Sequence, residues 1–311
     1  MTLTDDAIKA AVEAAYAAAL KASGGANADY IPYLAKVPST LCAVCAVTPD
    51  GKVFAAGDST YGFAFESISK VVTMALVMEQ SGAEAVRSKI GARPTGLPFN
   101  SVMALELHGD APLSPLVNAG AIASASLVKA KDVEDRWNQI LAFQSKFAGS
   151  AVSLSAEVNQ SEQTTNLHNR AIAWLLASAG NTFCDPMEAL DVYTRQCSTL
   201  VTCVQLATVA ATLANRGVNP ITKERVVSAE NVGHILAEMT MEGLYDASGD
   251  WAYEVGLPGK SGVGGGILSV APGRLGIAAF APPLDEVGNS VRAQAAITLI
   301  SQQLGLNLYA A

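Results

Sequence analysis

The sequence predicts an α+β fold: an antiparallel sheet flanked by the N- and C-terminal helices, with an all-helical inserted subdomain beside it. Three observations support this prediction. Strand-like runs occur near both ends of the chain, at 40–48, 52–56, 267–270 and 275–280. Between them, from Gly82 to about Gly243, helical periodicity dominates. Each end also carries a helix of its own, so we expect the two ends to form one sheet.

Local signals place the elements. Residues 4–22 are alanine-rich, begin with two aspartates and end before Gly24-Gly25, which predicts a helix. Pro49-Asp50-Gly51 joins the first two strands as a hairpin turn. The last two strands flank Pro272-Gly273 and lead into a final helix at 286–304. Within the central block we predict helices at 115–129, 133–147, 169–178, 187–196 and 201–215.

The length and composition are those of a globular protein with an ample core. The chain has 311 residues, of which 50% are hydrophobic and 15% are charged. No linker, internal repeat or low-complexity tract divides it. We therefore expect a single domain over 1–311, with a sheet-containing part (1–82 and 244–311) and a helical part (83–243).

The charge and the N-terminus bear on partners and location. The formal net charge is −8 and acidic residues are spread along the chain, which argues against nucleic acid or an anionic membrane as a partner. The first residues contain no basic region leading into an apolar segment, and nowhere do about eighteen apolar residues follow one another. We therefore expect a cytoplasmic protein.

The cysteines indicate reduced thiols. Five are present (Cys42, Cys45, Cys184, Cys197 and Cys203), an odd number, and all lie in apolar patterns. Cys42 and Cys45 form a C-x-x-C, but no second pair accompanies it and the surrounding run predicts a strand. No cluster of His, Cys and carboxylate residues has ligand spacing. We expect neither a metal nor a cofactor.

The motif with the clearest chemistry lies at the start of a predicted helix that runs to Gly82. Ser67 and Lys70 are three residues apart, so helical geometry places them on one face. A serine becomes a nucleophile when a neighbouring base takes its proton, and a lysine is such a base only when apolar surroundings keep it neutral. The S-x-x-K spacing is the one used by penicillin-recognising serine enzymes. Elsewhere the same spacing is often a solvated pair, but the run from Ile68 to Met78 is too apolar for a solvent-facing helix.

A glycine-rich segment near the C-terminus matches a second motif of the same enzymes. Lys260-Ser261-Gly262 fits their K-[ST]-G box, which lies on an edge strand facing the nucleophile. The N–H of Val263 can then join that of Ser67 as an oxyanion hole. A phosphate-binding loop is the alternative, but such a loop opens a helix, whereas this segment leads into glycines and a strand.

The third motif of those enzymes, S-x-N or Y-x-N, is absent. Tyr193 and Tyr245 are candidates to complete the site, because a phenol beside a neutral lysine can relay a proton. The alternative is that both are core tyrosines with satisfied hydroxyl groups.

Taken together, these residues resemble the serine-dependent glutaminases of bacteria and animal mitochondria. The matches span nearly the whole chain: Tyr30-Ile-Pro32, Glu66-Ser-Ile-Ser-Lys70, Phe99-Asn-Ser-Val, Val117-Asn-Ala-Gly-Ala-Ile122, Ser161-Glu162, Asn169, Asp191-Val-Tyr193, Tyr245-Asp and Gly256-Leu-Pro-Gly-Lys-Ser-Gly-Val263. The resemblance implies a β-lactamase/transpeptidase-like fold and the hydrolysis of L-glutamine to L-glutamate and ammonia. It also implies a homo-oligomer, either a dimer or a tetramer.

The resemblance assigns roles to residues. It implies that Ser67 is the nucleophile, Lys70 its base, and Tyr245 and Tyr193 the groups that assist proton transfer and contact substrate. The residues implied to surround bound glutamine are Tyr30, Ser67, Asn118, Glu162, Asn169, Tyr193, Tyr245 and Val263. Independently, Glu162 suits an ammonium group, and the Asn and Tyr donors suit a carboxylate. Singly, Glu162 fits equally well as a solvated charge and Asn118 as a helix cap.

Two departures and two rival functions remain open. This chain has Thr95-Gly-Leu-Pro-Phe-Asn100 where many relatives have Ser-Gly-Asp-Pro-Phe-Asn, and His168 where they have Arg.

The rival functions are a β-lactamase-like or esterase-type serine acyl hydrolase and a non-enzymatic binding protein. The absent third motif argues against the first rival, and the intact Ser67, Lys70 and Lys260 argue against the second.

Overall fold

A computed structural model describes residues 3–310. Its α-helices are α1 (Asp5–Lys21), α2 (Pro32–Ala35), α3 (Ser69–Ser81), α4 (Ala83–Lys89), α5 (Val102–Leu107), α6 (Asn118–Leu127), α7 (Val133–Ala148), α8 (Ala156–Thr165), α9 (Leu167–Ser178), α10 (Pro186–Cys197), α11 (Cys203–Ala214), α12 (Ala229–Glu242), α13 (Ser248–Glu254) and α14 (Val291–Leu304). Its strands are β1 (Ala43–Val47), β2 (Val53–Gly57), β3 (Phe63–Ala64), β4 (Ser153–Leu154), β5 (Thr199–Val201), β6 (Gly259–Ser261), β7 (Gly266–Ala271) and β8 (Leu275–Phe280).

The two ends of the chain form one antiparallel sheet, as predicted. Its strand order is β2-β1-β8-β7-β6, so β1 from the N-terminal part pairs directly with β8 from the C-terminal part. In that register Cys45 lies opposite Ala278. The predicted fold class is therefore confirmed, and β6, which carries Lys260, is the edge strand of the sheet.

The sheet is buried on both faces. Val44 and Ala46 of β1 face a core shared with α1 and α14, whereas Cys45 and Val47 face the larger core beneath α3 and α11. This alternation follows from the period of two along a strand. Helix α11 lies so close to β8 that a β-carbon at Gly276 would stand 2.1 Å from the backbone nitrogen of Ala211.

The predicted helical part is not helical throughout. Two short strands, β4 and β5, lie within it, and β5 pairs with both β3 and β4 in a second, three-stranded sheet. The predicted helix at 201–215 begins only at Cys203, because Thr202 caps it with a reciprocal capping box. The predicted helix at 286–304 begins only at Val291, after Ser290 caps it.

The cysteines are free thiols, as predicted, and all except the partly buried Cys184 are buried. Cys45 lies in β1, which fits the strand predicted for the C-x-x-C run. Within residues 3–310, no helix combines the length and the apolar character needed to cross a bilayer.

Candidate active site

Ser67 lies in a tight turn where the small sheet meets the helical layer. The turn is a single 3₁₀ segment, Glu66–Ile68, that continues directly into α3, and Ser67 is buried within it. The preceding residue, Glu66, has a φ of +51°, and Tyr245 has a φ of +58°. Left-handed backbone at residues other than glycine is strained and concentrates at functional sites. Two such residues thus flank one serine.

Lys70 is fully buried one turn further along. Its Nζ donates a hydrogen bond of 2.7 Å to Asn118 Oδ1 and a longer one, of 3.4 Å, to the carbonyl of Leu116. The rings of Phe99 and Tyr193 lie 5.8 and 5.9 Å from the amine. None of the hydrogen bonds of Nζ within residues 3–310 goes to Ser67. Ser67 thus lies in the 3₁₀ turn before α3 and not in the predicted helix itself, and the amine of Lys70 donates to Asn118.

Burial controls the charge of this amine. Removing the ammonium from water lowers the pKa of Lys70 to about 8, against an opposing effect of nearby carboxyl groups such as Glu66 and Glu242. A substantial fraction of the Lys70 amine is thus uncharged slightly above pH 7. A neutral amine has two N–H donors and one lone pair, and the donors are directed to Asn118 and Leu116, so the lone pair remains free to accept a proton.

Asn118 connects three of the predicted site residues. Its Oδ1 accepts hydrogen bonds from Lys70 and, at 3.1 Å, from the hydroxyl of Tyr193. Its Nδ2 donates to Asn169 Oδ1 at 2.9 Å. The helix positions explain this meeting: Asn118 is the first residue of α6, Tyr193 lies in α10, and Asn169 lies in the first turn of α9.

Tyr245 approaches Ser67 from the opposite side. Its hydroxyl donates to the carbonyl oxygen of Ser261 at 3.4 Å. Burial raises the pKa of Tyr245 well above its usual range, and the nearby Ser67 and Ser261 oppose the shift. The ring packs at 4.5 Å on that of Phe99. The phenol therefore stays protonated and can donate to, or relay from, the serine.

Lys260 supports Tyr245 from below. Its buried Nζ donates to the carbonyls of Gly243 and Ser261, at 2.9 and 2.8 Å, and lies 4.1 Å from the centre of the Tyr245 ring. Burial lowers the pKa of Lys260 well below its usual range, and the charge of Lys70 acts in the same direction. Lys260, the lysine of the K-[ST]-G box, is thus hydrogen-bonded to main-chain carbonyls rather than to the side chain of Ser67.

The glycine-rich turn after β6, residues 262–266, lies in close contact with the turn that carries Ser67. A β-carbon at Gly262 would lie 3.1 Å from the carbonyl oxygen of Phe65, and one at Gly264 would lie 2.5 Å from that of Ala64. Only glycines permit this approach. Val263, between them, is thereby brought against the segment that carries Ser67, as an oxyanion hole shared by the two amides requires.

Aromatic and loop residues, rather than helices, line the cavity beside the site. A cavity of about 980 Å³ is lined in part by Tyr30, Phe99, Asn100, Val287 and Gly288. Tyr30 is 56% exposed, so it lies at the rim, unlike the other predicted site residues.

Glu162 and Glu66 form a pair that the sequence did not reveal. Burial raises the pKa of both carboxyl groups, and the charge of Glu162 adds to the rise at Glu66. Glu66 is only 3% exposed. The resemblance quoted Glu66 as part of a motif without giving it a role; the available signal was a lone charge inside the apolar run Phe63-Ala-Phe-Glu66.

The two segments that depart from the family pattern contact each other. The His168 ring lies 2.6 Å from the carbonyl oxygen of Asn100, to which it donates. At the other end of the same loop, Thr95 donates to the buried carboxyl group of Glu242 from its backbone N–H, at 3.1 Å. The loop that carries Phe99 is thus anchored at both ends.

The predicted residues therefore divide into two groups. Hydrogen bonds join Lys70, Asn118, Asn169 and Tyr193 in one network, whereas Ser67, Glu162, Tyr245 and Val263 are outside that network and Tyr30 lies at the rim. In the part of the chain that the structure covers, no three His, Cys, Asp or Glu side chains are grouped to hold a metal ion.

A five-stranded antiparallel sheet against a helical layer defines a β-lactamase-like fold, and solved structures share this fold. A probable glutaminase, ybaS, superposes with a TM-score of 0.98 at 64% identity, covering 99% of this chain and 100% of that one. A probable glutaminase from Bacillus subtilis, complexed with 6-diazo-5-oxo-L-norleucine, gives a TM-score of 0.87 at 29% identity and covers 99% of each chain.

Sequence comparison agrees. The family model Glutaminase matches residues 25–309. The Glutaminase of Brucella suis biovar 1 (strain 1330) is 66% identical over 309 residues, 99% of this chain and 98% of its own. Glutaminase 1 of Escherichia coli O157:H7 is 65% identical over 302 residues, 97% of each chain. The chain belongs to the glutaminase family of enzymes, which confirms the resemblance seen in the sequence.

Proposed function

We propose that this enzyme hydrolyses the side-chain amide of free L-glutamine to L-glutamate and ammonia through an acyl-enzyme on Ser67. One observation carries the proposal: a buried serine lies one turn before a fully buried lysine, whose Nζ donates to Asn118 Oδ1 at 2.7 Å and whose pKa is lowered to about 8. A serine with a base of this kind is the arrangement that nucleophilic catalysis needs.

In the first half-reaction, the Ser67 hydroxyl oxygen attacks the amide carbon while its proton passes to neutral Lys70. The carbonyl electron pair moves onto oxygen, and the N–H groups of Ser67 and Val263 receive that negative charge. The tetrahedral intermediate then collapses, the C–N bond breaks, and the nitrogen takes the proton back through Tyr245 to leave as ammonia. A γ-glutamyl ester on Ser67 remains.

In the second half-reaction, water replaces ammonia and the same groups act in reverse. Lys70 takes a proton from the water as its oxygen attacks the ester carbon. Collapse of this second intermediate breaks the bond to Ser67, which regains its proton, and glutamate is released. A relative supports the covalent step: the Bacillus subtilis glutaminase YbgJ, 29% identical, forms a covalent complex with 5-oxo-L-norleucine after reaction with 6-diazo-5-oxo-L-norleucine.

Selection of free glutamine requires that the site read both the α-ammonium and the α-carboxylate. We assign the ammonium to Glu162 and the carboxylate to donors from Asn169, Tyr193, Tyr245 and the rim residue Tyr30. The Tyr193 hydroxyl, which donates to Asn118 in the free enzyme, must turn away from it to do so. Asn118 already uses its oxygen for Lys70 and Tyr193 and one N–H for Asn169, so it contributes its remaining N–H.

The test is ammonia release from glutamine by Ser67→Ala. We expect activity to fall by about 10³-fold or more, with an unchanged circular dichroism spectrum. Ser69→Ala is the matched control: Ser69 is also buried, two residues further on, but donates to the carbonyl of Glu66, at 2.6 Å, so we expect a loss below about tenfold. Retained turnover in Ser67→Ala would eliminate the mechanism.

The rival acyl-hydrolase activity is tested on the same proteins. Nitrocefin and p-nitrophenyl esters replace glutamine as substrates, and we expect neither to be turned over at a rate comparable with glutamine. Asparagine, one methylene shorter, tests how strictly the site requires the distance between the amide and the α-carbon of glutamine.

The proposal also includes the sequence-based expectations of a single domain, a cytoplasmic location and a dimer or tetramer. Sedimentation of the purified enzyme tests the expected dimer or tetramer.

A further inference from the structure

The loop formed by residues 285–289, here named the Asp285 loop, folds around one carboxylate. Asp285 Oδ1 accepts hydrogen bonds from three successive backbone N–H groups, those of residues 287–289, at 3.0, 3.0 and 2.9 Å. Its Oδ2 accepts from the side-chain Nε2 of Gln294, on α14, at 2.8 Å. With four donors directed at one side chain, the loop has little freedom to change its shape.

Asn289, the last residue of the Asp285 loop, is fully buried, yet only half of its amide is hydrogen-bonded. Its Nδ2 donates to the backbone carbonyl of Leu244 at 3.1 Å, while its Oδ1 has no hydrogen-bond partner within residues 3–310. A buried oxygen without a partner costs stability, and an apolar side chain of similar size would avoid that cost. The donor to Leu244 is therefore what distinguishes Asn289 from such a side chain.

The carbonyl that Asn289 holds belongs to the peptide bond between Leu244 and Tyr245. Tyr245 has a φ of +58°, and a strained residue of this kind keeps its conformation only where the surrounding structure holds it. Within the turn, Ser248 Oγ donates to the carbonyl of Tyr245 at 2.7 Å and accepts from the N–H of Leu244 at 3.0 Å. The bond from Asn289 adds a support from a distant part of the chain, 45 residues away.

The Asp285 loop also borders the ring of Tyr245. A β-carbon at Gly288 would lie 3.8 Å from Cε2 of Tyr245 and 3.7 Å from Cγ1 of Val263, which are ordinary contact distances. The ring of Phe99 and the amine of Lys260 approach the Tyr245 ring at 4.5 and 4.1 Å. These contacts limit the tilt of the ring, while the hydrogen bond from Asn289 fixes the backbone from which the side chain extends.

We propose that Asn289 is a positioning residue for the reaction: by fixing the Leu244 carbonyl, it sets the direction from which the Tyr245 hydroxyl reaches the reacting groups. This inference rests on the proposed function, because it assumes that Tyr245 assists proton transfer. Asn289 acts only through Tyr245. Proton transfer depends steeply on the geometry of the groups that exchange the proton, so a small displacement of the hydroxyl lowers the rate.

The first measurement is ammonia release from glutamine by Asn289→Leu, which keeps the approximate size of the side chain and removes its donor. We expect kcat to fall by about tenfold. The midpoint of denaturant unfolding should change little, because the unpartnered Oδ1 is lost as well and the Leu244 carbonyl keeps the N–H of Ala247, at 3.2 Å.

The second measurement is a double-mutant cycle with Tyr245→Phe, which separates positioning from a general structural effect. If Asn289 acts through the phenol, Asn289→Leu lowers kcat by about tenfold in the wild type and by less than about twofold in the Tyr245→Phe background. A purely structural role gives the same loss of kcat in both backgrounds.

Two further variants accompany the cycle. Asn215→Leu is the matched control, because this amide also donates to one main-chain carbonyl, that of Val218, at 2.9 Å, and we expect kcat within about twofold of the wild type. Gln294→Met leaves Asn289 in place and removes the donor to Asp285 Oδ2; we expect kcat to fall by about threefold, and the fall to disappear in Tyr245→Phe.

Equal losses in the two backgrounds, or a wild-type kcat in Asn289→Leu, would overturn the role of Asn289. A loss in Asn215→Leu as large as that in Asn289→Leu would overturn it too, since any weakened turn would then slow the enzyme. Should Asn289→Leu not fold, the same comparison made with Gln294→Met decides the question.

Failure of the proposed function looks different. A wild-type kcat in Tyr245→Phe would remove Tyr245 from proton transfer and leave Asn289 nothing to position, whereas full activity in Ser67→Ala would defeat the acyl-enzyme mechanism itself.

Discussion

Two lysines are buried on opposite sides of Ser67, and they are held in different ways. On the helical side, Lys70 makes its one short hydrogen bond to a side-chain oxygen, that of Asn118, at 2.7 Å. On the sheet side, Lys260 makes two, of 2.9 and 2.8 Å, to main-chain carbonyls, and lies against the Tyr245 ring. Burial lowers the pKa of both amines.

Burial alone therefore does not make a lysine a general base. A side-chain partner can turn when substrate arrives, so the lone pair of Lys70 can be redirected, whereas Lys260 is held by the fixed backbone of β6 and of the segment after α12. We therefore attribute proton transfer to the helical side and the rigid placement of Tyr245 to the sheet side.

The largest expected effect is that of Lys70→Met, which removes the amine while keeping the length of the side chain. We expect the rate of ammonia release to fall by about 10²–10⁴-fold, because a general base contributes that much. Thermal unfolding should change little, since only one short hydrogen bond is lost. A variant that kept most of the activity would erase the distinction between the two lysines.

The two tyrosines should also differ in their contribution to the rate, because Tyr245 lies on the sheet side and Tyr193 on the helical side. Tyr245→Phe removes the hydroxyl near Ser67, and we expect kcat to fall by about 10²-fold. Tyr193→Phe removes a 3.1 Å hydrogen bond to Asn118, for which we expect a loss of about tenfold or less. Steady-state kinetics with glutamine measures both, and equal losses would contradict a relay through Tyr245.

Lys260→Met should affect stability where Lys70→Met does not. It removes two hydrogen bonds to main-chain carbonyls and the contact with the Tyr245 ring, so we expect the free energy of unfolding to fall by about 1–2 kcal/mol. Denaturant titration at pH 7 of both methionine variants, side by side, gives the comparison. If Lys260→Met were as stable as the wild type, its role as an anchor would be wrong.

The smallest expected effect is a displacement of the pH profile. The wild-type rate should rise through about pH 8, where Lys70 becomes neutral, and level off above it. Asn118→Asp places a carboxylate beside the amine, which favours the ammonium and should move this limb about one pH unit or more to the alkaline side.

Asn181→Asp is the matched control for the pH profile, because its amide donates to the carbonyl of Asp110 instead. We expect the limb to stay at its wild-type position in this variant. A limb that did not move in Asn118→Asp would show that some other group sets it.

Much of the fold could be predicted because its signals are local. The apolar run of β1, the turn at Pro49-Asp50-Gly51 and the cap of α1 at Thr4 each act within a few residues. The short strands β4 and β5 escaped prediction, because two or three residues have no measurable period and exist as strands only through pairing.

The sequence by itself determined the pairing of the two ends in one sheet, the spacing of Ser67 and Lys70, and the glycines that let Val263 approach, since these follow from periodicity, helical geometry and the lack of a β-carbon. Only the tertiary structure decided the partners of the buried charges. Asn118 meets Lys70 across 48 residues, and Tyr193 meets Asn118 from a separate helix. Such contacts depend on how helices pack, and no local pattern records which buried charge will face which.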